Sequence, residues 1–191
     1  MKENHEYTLD IKKSLMNKAL SYLSKFSSTE NKLNKILNSF SDKYLKTVNS
    51  EQLSKEIALV IQKCKDHGYI DDIEFTKNKI EKYINLGKSE KYIIFNLKNY
   101  GISKSIIEAS FEEFFSSQKD NDMKAAIIFA RKKNIGPFYK KPDKPNPDKL
   151  LNKWFSSFAR AGFNYEVSKK ILNFESSFEA ENFLCNIDNK Q

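Results

Sequence analysis

All four prolines of this chain, Pro137, Pro142, Pro145 and Pro147, fall inside one eleven-residue window. A proline inside a helix costs about 3 kcal/mol. The segment 136–147 (GPFYKKPDKPNP) therefore reads as a loop, and the sequence on either side is free to be helical. The five glycines, Gly68, Gly87, Gly101, Gly136 and Gly162, each follow a stretch with helical apolar spacing. That is where a left-handed helix end is wanted. So few turn residues in 191 positions speak against a many-stranded sandwich or barrel, which needs a turn every 8–12 residues or so. A hydrophobic content of 39% suffices for a buried core. The chain is predicted to be all-α.

The helices can be read from apolar spacing and polar caps. The first runs from Ser14 to about Lys25, with Leu15, Ala19, Leu20, Tyr22 and Leu23 on its stripe, and residues 1–14 form an N-terminal tail. Ser27, Ser28 and Thr29 cap a second from Glu30 to about Phe40; residues 41–50 are polar and ambiguous. A third ends at Gly68. Asp71 and Asp72 open a fourth, where carboxylates complement the helix dipole, with Ile73, Thr76, Ile80, Tyr83 and Ile84 inward. Ser89 and Ser103 cap the next two. Asp120 or Asp122 starts another, Asp148 one carrying Leu151, Trp154, Phe155 and Phe158, and Asn164 a last one. The tail 175–191 contains enough apolar residues for one more turn or helix.

Two junctions repeat. LKNYGISKSIIEASF (97–111) aligns without gaps to FARAGFNYEVSKKIL (158–172), pairing Gly101 with Gly162 and Ile102 with Phe163. We read three tandem three-helix repeats (15–68, with a longer connection at 40–52; 69–117; 118–174) stacked in an elongated, curved array.

Catalytic signatures are missing: there is no phosphate-binding glycine loop, no His-Glu-x-x-His and no Gly-x-Ser-x-Gly. His67 stands three residues after Cys64 but has no further ligands nearby in sequence, so no metal or cofactor is expected, and Cys64 and Cys185 read as free thiols. No apolar run approaches the ~20 residues of a membrane span. The opening MKENHEYTLDIKKS is charged and lacks a signal core, so a cytoplasmic location is expected.

The formal net charge is +8, but of 33 basic residues only Arg131 and Arg160 are arginine. The one local concentration is 131–153, where Arg131, Lys132, Lys133, Lys140, Lys141, Lys144, Lys149 and Lys153 face only Asp143 and Asp148. With Phe138 and Tyr139 exposed between basic pairs, this segment suits a nucleic acid strand or an acidic protein groove; the other reading is a solvated linker with Phe138 packed inward. Arg160, Lys169 and Lys170 are further candidates for contact with a partner or DNA.

Four stretches make the chain resemble the RecX family: ALSYLSKFSSTENKL (19–33), HGYIDDIEF (67–75), LKNYGISKSIIE (97–108) and FARAGFNYEVSKKIL (158–172). Gly68, Tyr69, Asp71, Asp72, Phe75, Gly101, Gly162 and Phe163 are its motif positions here, as structural or interface residues. The chain departs from the family pattern with Lys25 and Phe26 where arginines are usual, and with Ala161 before Gly162 where an arginine is common. A lysine replaces a bidentate fork by a point charge. The resemblance implies a non-catalytic regulator, and a monomer is expected. Its partner would be the RecA recombinase filament, whose ATPase, strand-exchange and coprotease activities it restrains in DNA repair and SOS control. Single- or double-stranded DNA would be a second partner. Two other readings stay open: a helix-turn-helix reader of DNA, and a helical-repeat adaptor for another protein.

Overall fold

A computed structural model describes residues 2–117, 120–140 and 146–188. Among them there are helices and no strands: α1 (Lys2–Leu23), α2 (Glu30–Tyr44), α3 (Ser50–Asp66), α4 (Asp72–Asn85), α5 (Glu90–Asn99), α6 (Lys104–Ser117), α7 (Asn121–Lys133), α8 (Pro147–Ala161), α9 (Tyr165–Leu172) and α10 (Ser177–Asp188), with a 3-10 turn at Gly136–Phe138. The chain is all-α. No described helix is long and apolar enough to cross a membrane.

Helix α1 begins at Lys2, well before the expected Ser14. Ile11, Leu15 and Ala19 recur at every fourth position and are all buried, so the inward stripe starts upstream of the predicted one. Leu20 lies about 100° round the helix from Ala19 and is exposed. The ambiguous 41–50 segment also resolves. Helix α2 continues to Tyr44, Val48 is buried, and the Asn49 side chain accepts the Glu51 N–H to start α3.

The chain forms two compact units, residues 1–76 with 98–106, and residues 77–97 with 107–191. The middle helices α4, α5 and α6 each contribute residues to both. In the first unit, α1, α2 and α3 pack on one another. Ile11, Leu15, Ala19, Leu33, Leu37, Ile57, Val60 and Cys64 form its core, joined by Ile70. On α4 the inward residues are Phe75, Thr76, Ile80 and Ile84, spaced i, i+1, i+5, i+9; Ile73 was expected there but faces solvent.

The second unit is built on α7, which packs against α9, α10 and the 3-10 turn. Ala125, Ala126, Ile127 and Ala130 are small or medium residues that let neighbours approach, and all are buried. Phe129 lies 5.3 Å, ring centre to ring centre, from both Phe158 and Phe163. These two meet edge-on at 5.7 Å. Helix α10 buries Ala180, Leu184 and Ile187 in this core, so the C-terminal segment is an integral helix. The proline loop is shorter than expected, because Pro147 is the first residue of α8, a position where its missing N–H costs nothing. Leu151 of α8 is exposed rather than inward.

Candidate partner-binding surface

The basic candidates separate into engaged and open side chains. Arg131 ends α7, and its Nη1 donates to both carboxylate oxygens of Glu181 on α10, at 3.1 and 3.0 Å. Lys132 Nζ donates to the Leu86 carbonyl at 3.1 Å, at the end of α4. Both therefore serve the protein's own packing. Lys133, Lys140, Arg160, Lys169 and Lys170 are exposed. Arg160 and the 169–170 pair sit in the last turns of α8 and α9, where a cation complements the helix dipole. Lys170 lines an open groove with Asp120, Met123, Phe174, Glu179 and Phe183. Lys141 and Lys144 lie outside the described residues.

The aromatic part of the expected surface is not as predicted. Phe138 is 5% exposed and belongs to the core. The 3-10 turn, with Gly136 in a left-handed conformation, folds it inward. Tyr139 packs edge-on against Trp154, 5.4 Å between ring centres. One aromatic that does face solvent is Tyr165, 61% exposed and stacked on Phe155 at 5.1 Å with 19° between planes. Phe95 on α5 is also exposed. Composition alone cannot assign these, since their helices also carry buried apolar residues, Ile93 and Leu97 on α5 and Ile171 on α9.

The motif positions make mainly internal contacts. Asp71 accepts the N–H groups of Ile73 and Glu74 at 2.8 and 2.9 Å and so caps α4. Asp72 reaches elsewhere and accepts the Glu30 N–H at 2.9 Å, at the start of α2. Burial pushes its carboxyl above the usual range, and the Glu30 amide partly offsets this. Lys65 bonds the Glu30 carboxylate at 2.7 Å, which raises the lysine. Phe75 is buried edge-on against Tyr100 at 5.3 Å. Phe163 fills the core of the second unit. Gly68, Gly101 and Gly162 all have positive φ. Tyr69 is the large motif side chain on the surface, stacked on His67 at 5.8 Å. His67 caps α3, with Nδ1 2.8 Å from the Lys63 carbonyl. Cys64 is a buried free thiol and Cys185 an exposed one. Among the described residues, no three His, Cys, Asp or Glu side chains are grouped to hold a metal.

What sequence reasoning missed is what the capping hydroxyls do. Thr29 and Ser89 were legible as caps, but each also donates to a carbonyl far along the chain, to Tyr100 and Ala161.

These observations define an all-α protein of short, hydroxyl- and glycine-capped helices with scattered exposed cations and aromatics. No family model matches the chain. It is 32% identical over 116 residues to the regulatory protein RecX of Agrobacterium fabrum, covering 60% of this chain and 57% of that protein. With the RecX of Myxococcus xanthus it shares 25% identity over 161 residues, 83% of this chain and 84% of the other. With that of Finegoldia magna it shares 36% over 126 residues, 65% and 58% of the two. The match thus spans less than two thirds of the first and third relatives. A crystal structure of RecX from Lactobacillus salivarius has the same fold, with a TM-score of 0.66 at 21% identity over 86% of this chain and 96% of that one. The chain is thus similar in sequence to several regulatory RecX proteins and shares the fold of a solved RecX structure.

Proposed function

We propose that the chain binds the RecA recombinase filament and modulates, mainly inhibits, its ATPase, strand-exchange and coprotease activities, as a non-catalytic cytoplasmic protein. The observation that carries this is the likeness, along most of its length, to proteins named as regulatory RecX proteins. The surface supports it chemically. Lys133, Lys140, Arg160, Lys169 and Lys170 offer separate point charges, and several weak contacts on one chain add through effective concentration. Contacts made to more than one filament subunit at once would oppose the rearrangements that ATP turnover and strand exchange require.

The test is RecA's DNA-dependent ATPase with increasing amounts of the purified chain. Inhibition below equimolar amounts is expected; normal turnover at equimolar protein together with no RecA binding would reject the proposal. Charge reversal at Lys133, Lys140 and Lys169 should weaken binding and flatten its dependence on salt. An unchanged salt slope would remove those three from the interface. A second reading, direct binding of single-stranded DNA, is favoured by the Phe155–Tyr165 stack with Lys169 one turn beyond Tyr165 on α9. It expects binding to an oligonucleotide without RecA, lost in Tyr165→Ala.

A further inference from the structure

The turns at Gly101 and Gly162 are closed by the same device. Thr29, the residue before α2, donates its Oγ1–H to the Tyr100 carbonyl at 2.8 Å. Ser89, the residue before α5, donates its Oγ–H to the Ala161 carbonyl at 2.6 Å. Each bond lands on the carbonyl just before a left-handed glycine, with φ of 79° and 90°. Each hydroxyl also accepts an amide from its own first helical turn, Lys32 N–H at 3.2 Å and Tyr92 N–H at 3.3 Å. Both side chains are dry, at 0% and 1% exposure.

The correspondence continues around the bond. A Cβ on Gly101 would strike the Asn31 side chain. A Cβ on Gly162 would stand 2.6 Å from Ser89 Oγ and 3.2 Å from Lys91 Cβ. Asn31 and Lys91 hold the same place, two residues after their hydroxyl. The residue directly after each hydroxyl is a glutamate. Glu30 gives its N–H to Asp72 in the first turn of α4. In the second joint no such bond is seen among the described residues; burial, and after it repulsion from the Glu90 carboxylate, raises Asp122 in the first turn of α7. The hydroxyls stand sixty positions apart in sequence (29 and 89), and the carbonyls sixty-one (100 and 161). The spacing agrees with the internal alignment of 97–111 to 158–172, although the hydrogen bonds themselves owe nothing to it.

We propose that the chain contains two copies of one joint, in which the hydroxyl before a helix is a clasp on a glycine turn 71 or 72 residues later, and that each clasp controls the opening of its own turn alone. Independence follows from placement. Every residue of the first joint lies in one compact unit, and every residue of the second in the other. Losing the donor removes the part-buried hydrogen bond that closes the turn, so the turn opens more often and its amides exchange faster. This holds whatever the chain binds.

The test is native-state amide hydrogen exchange on the full chain, wild type against Thr29→Val and Ser89→Ala. In Thr29→Val the amides around Gly101 and Ile102 should exchange at least about fivefold faster, with those around Gly162 and Phe163 unchanged. Ser89→Ala should show the reverse. Thr29→Ser restores the donor and should restore the wild-type rate. Thr29→Asp keeps the cap acceptor for α2 and lacks the donor, so it should behave like valine at Gly101. Slow exchange at Gly101 in Thr29→Asp would show that the cap, not the clasp, holds the turn. Unchanged rates in both single variants, or both turns loosening equally in each, would overturn the proposal.

Discussion

At the scale of single residues, the first-turn carboxylates divide between two tasks. Asp71 caps its own helix from an exposed position, at ordinary cost. Asp72 is drawn inward to satisfy the Glu30 amide, and its desolvation outweighs what that hydrogen bond returns. A carboxyl whose folded value is raised binds its proton more tightly in the native state than in the unfolded one. Its ionised form therefore costs stability above that folded value, and the cost disappears as pH falls through it. Asn in its place keeps an oxygen to accept the Glu30 N–H and never ionises. We expect Asp72→Asn to gain in melting temperature over wild type as pH rises from acid through the carboxylate range to neutral. The check is a pair of thermal melts across that range. A penalty of constant size at every pH would mean that the carboxylate's charge is not what the site resists.

At the scale of elements, local chemistry was legible and distant partners were not. Asn164 before Tyr165, and Gly162 after Ala161, announce a helix boundary from short-range rules, and the structure places both as caps. The pairing of Arg131 with Glu181 could not be read, because the two stand fifty residues apart and nothing local distinguishes Arg131 from the lysines that follow it. For Phe138 the sequence left two readings open, exposed or packed inward, and the structure shows the second. It sits among basic residues and prolines, yet the 3-10 turn rotates it into the core. Helix α10 shows the consequence most clearly. Its apolar residues were visible in the sequence, but only the fold shows Ala180, Leu184 and Ile187 sealing α7 and the 3-10 turn. Removing residues 175–191 would uncover that seam. A fully buried apolar side chain contributes about 1.5–3 kcal/mol, so the truncated chain should lose several kcal/mol. Urea unfolding would show it as a lower midpoint, and amides of α7 should lose protection. A midpoint equal to wild type would show that α10 is dispensable for the second unit.

At the scale of the whole molecule, the charge balance decides how stability responds to salt. The chain carries a formal +8, from 33 basic and 25 acidic residues. The ion pairs that offset this repulsion are exposed: Lys55–Glu51, Lys65–Glu30, Lys77–Glu113 and Arg131–Glu181 all have side chains at least 36% accessible. Exposed pairs contribute about 0–1 kcal/mol each, and salt weakens them. Salt also screens the repulsion produced by the excess of basic over acidic residues, which opposes the compact state. The two effects have opposite sign, and the excess of cations favours the second. We expect the melting temperature to rise by about 2–4 °C as sodium chloride goes from about 0.05 to about 0.5 M, equivalent to about 1 kcal/mol for a chain of this size. Sodium chloride is the right probe, because sulfate would stabilise by exclusion from the surface whatever the charge. A fall over the same range would show that attraction within the ion pairs outweighs the repulsion from the net positive charge. The lysines would then be better placed for folding than for holding a partner.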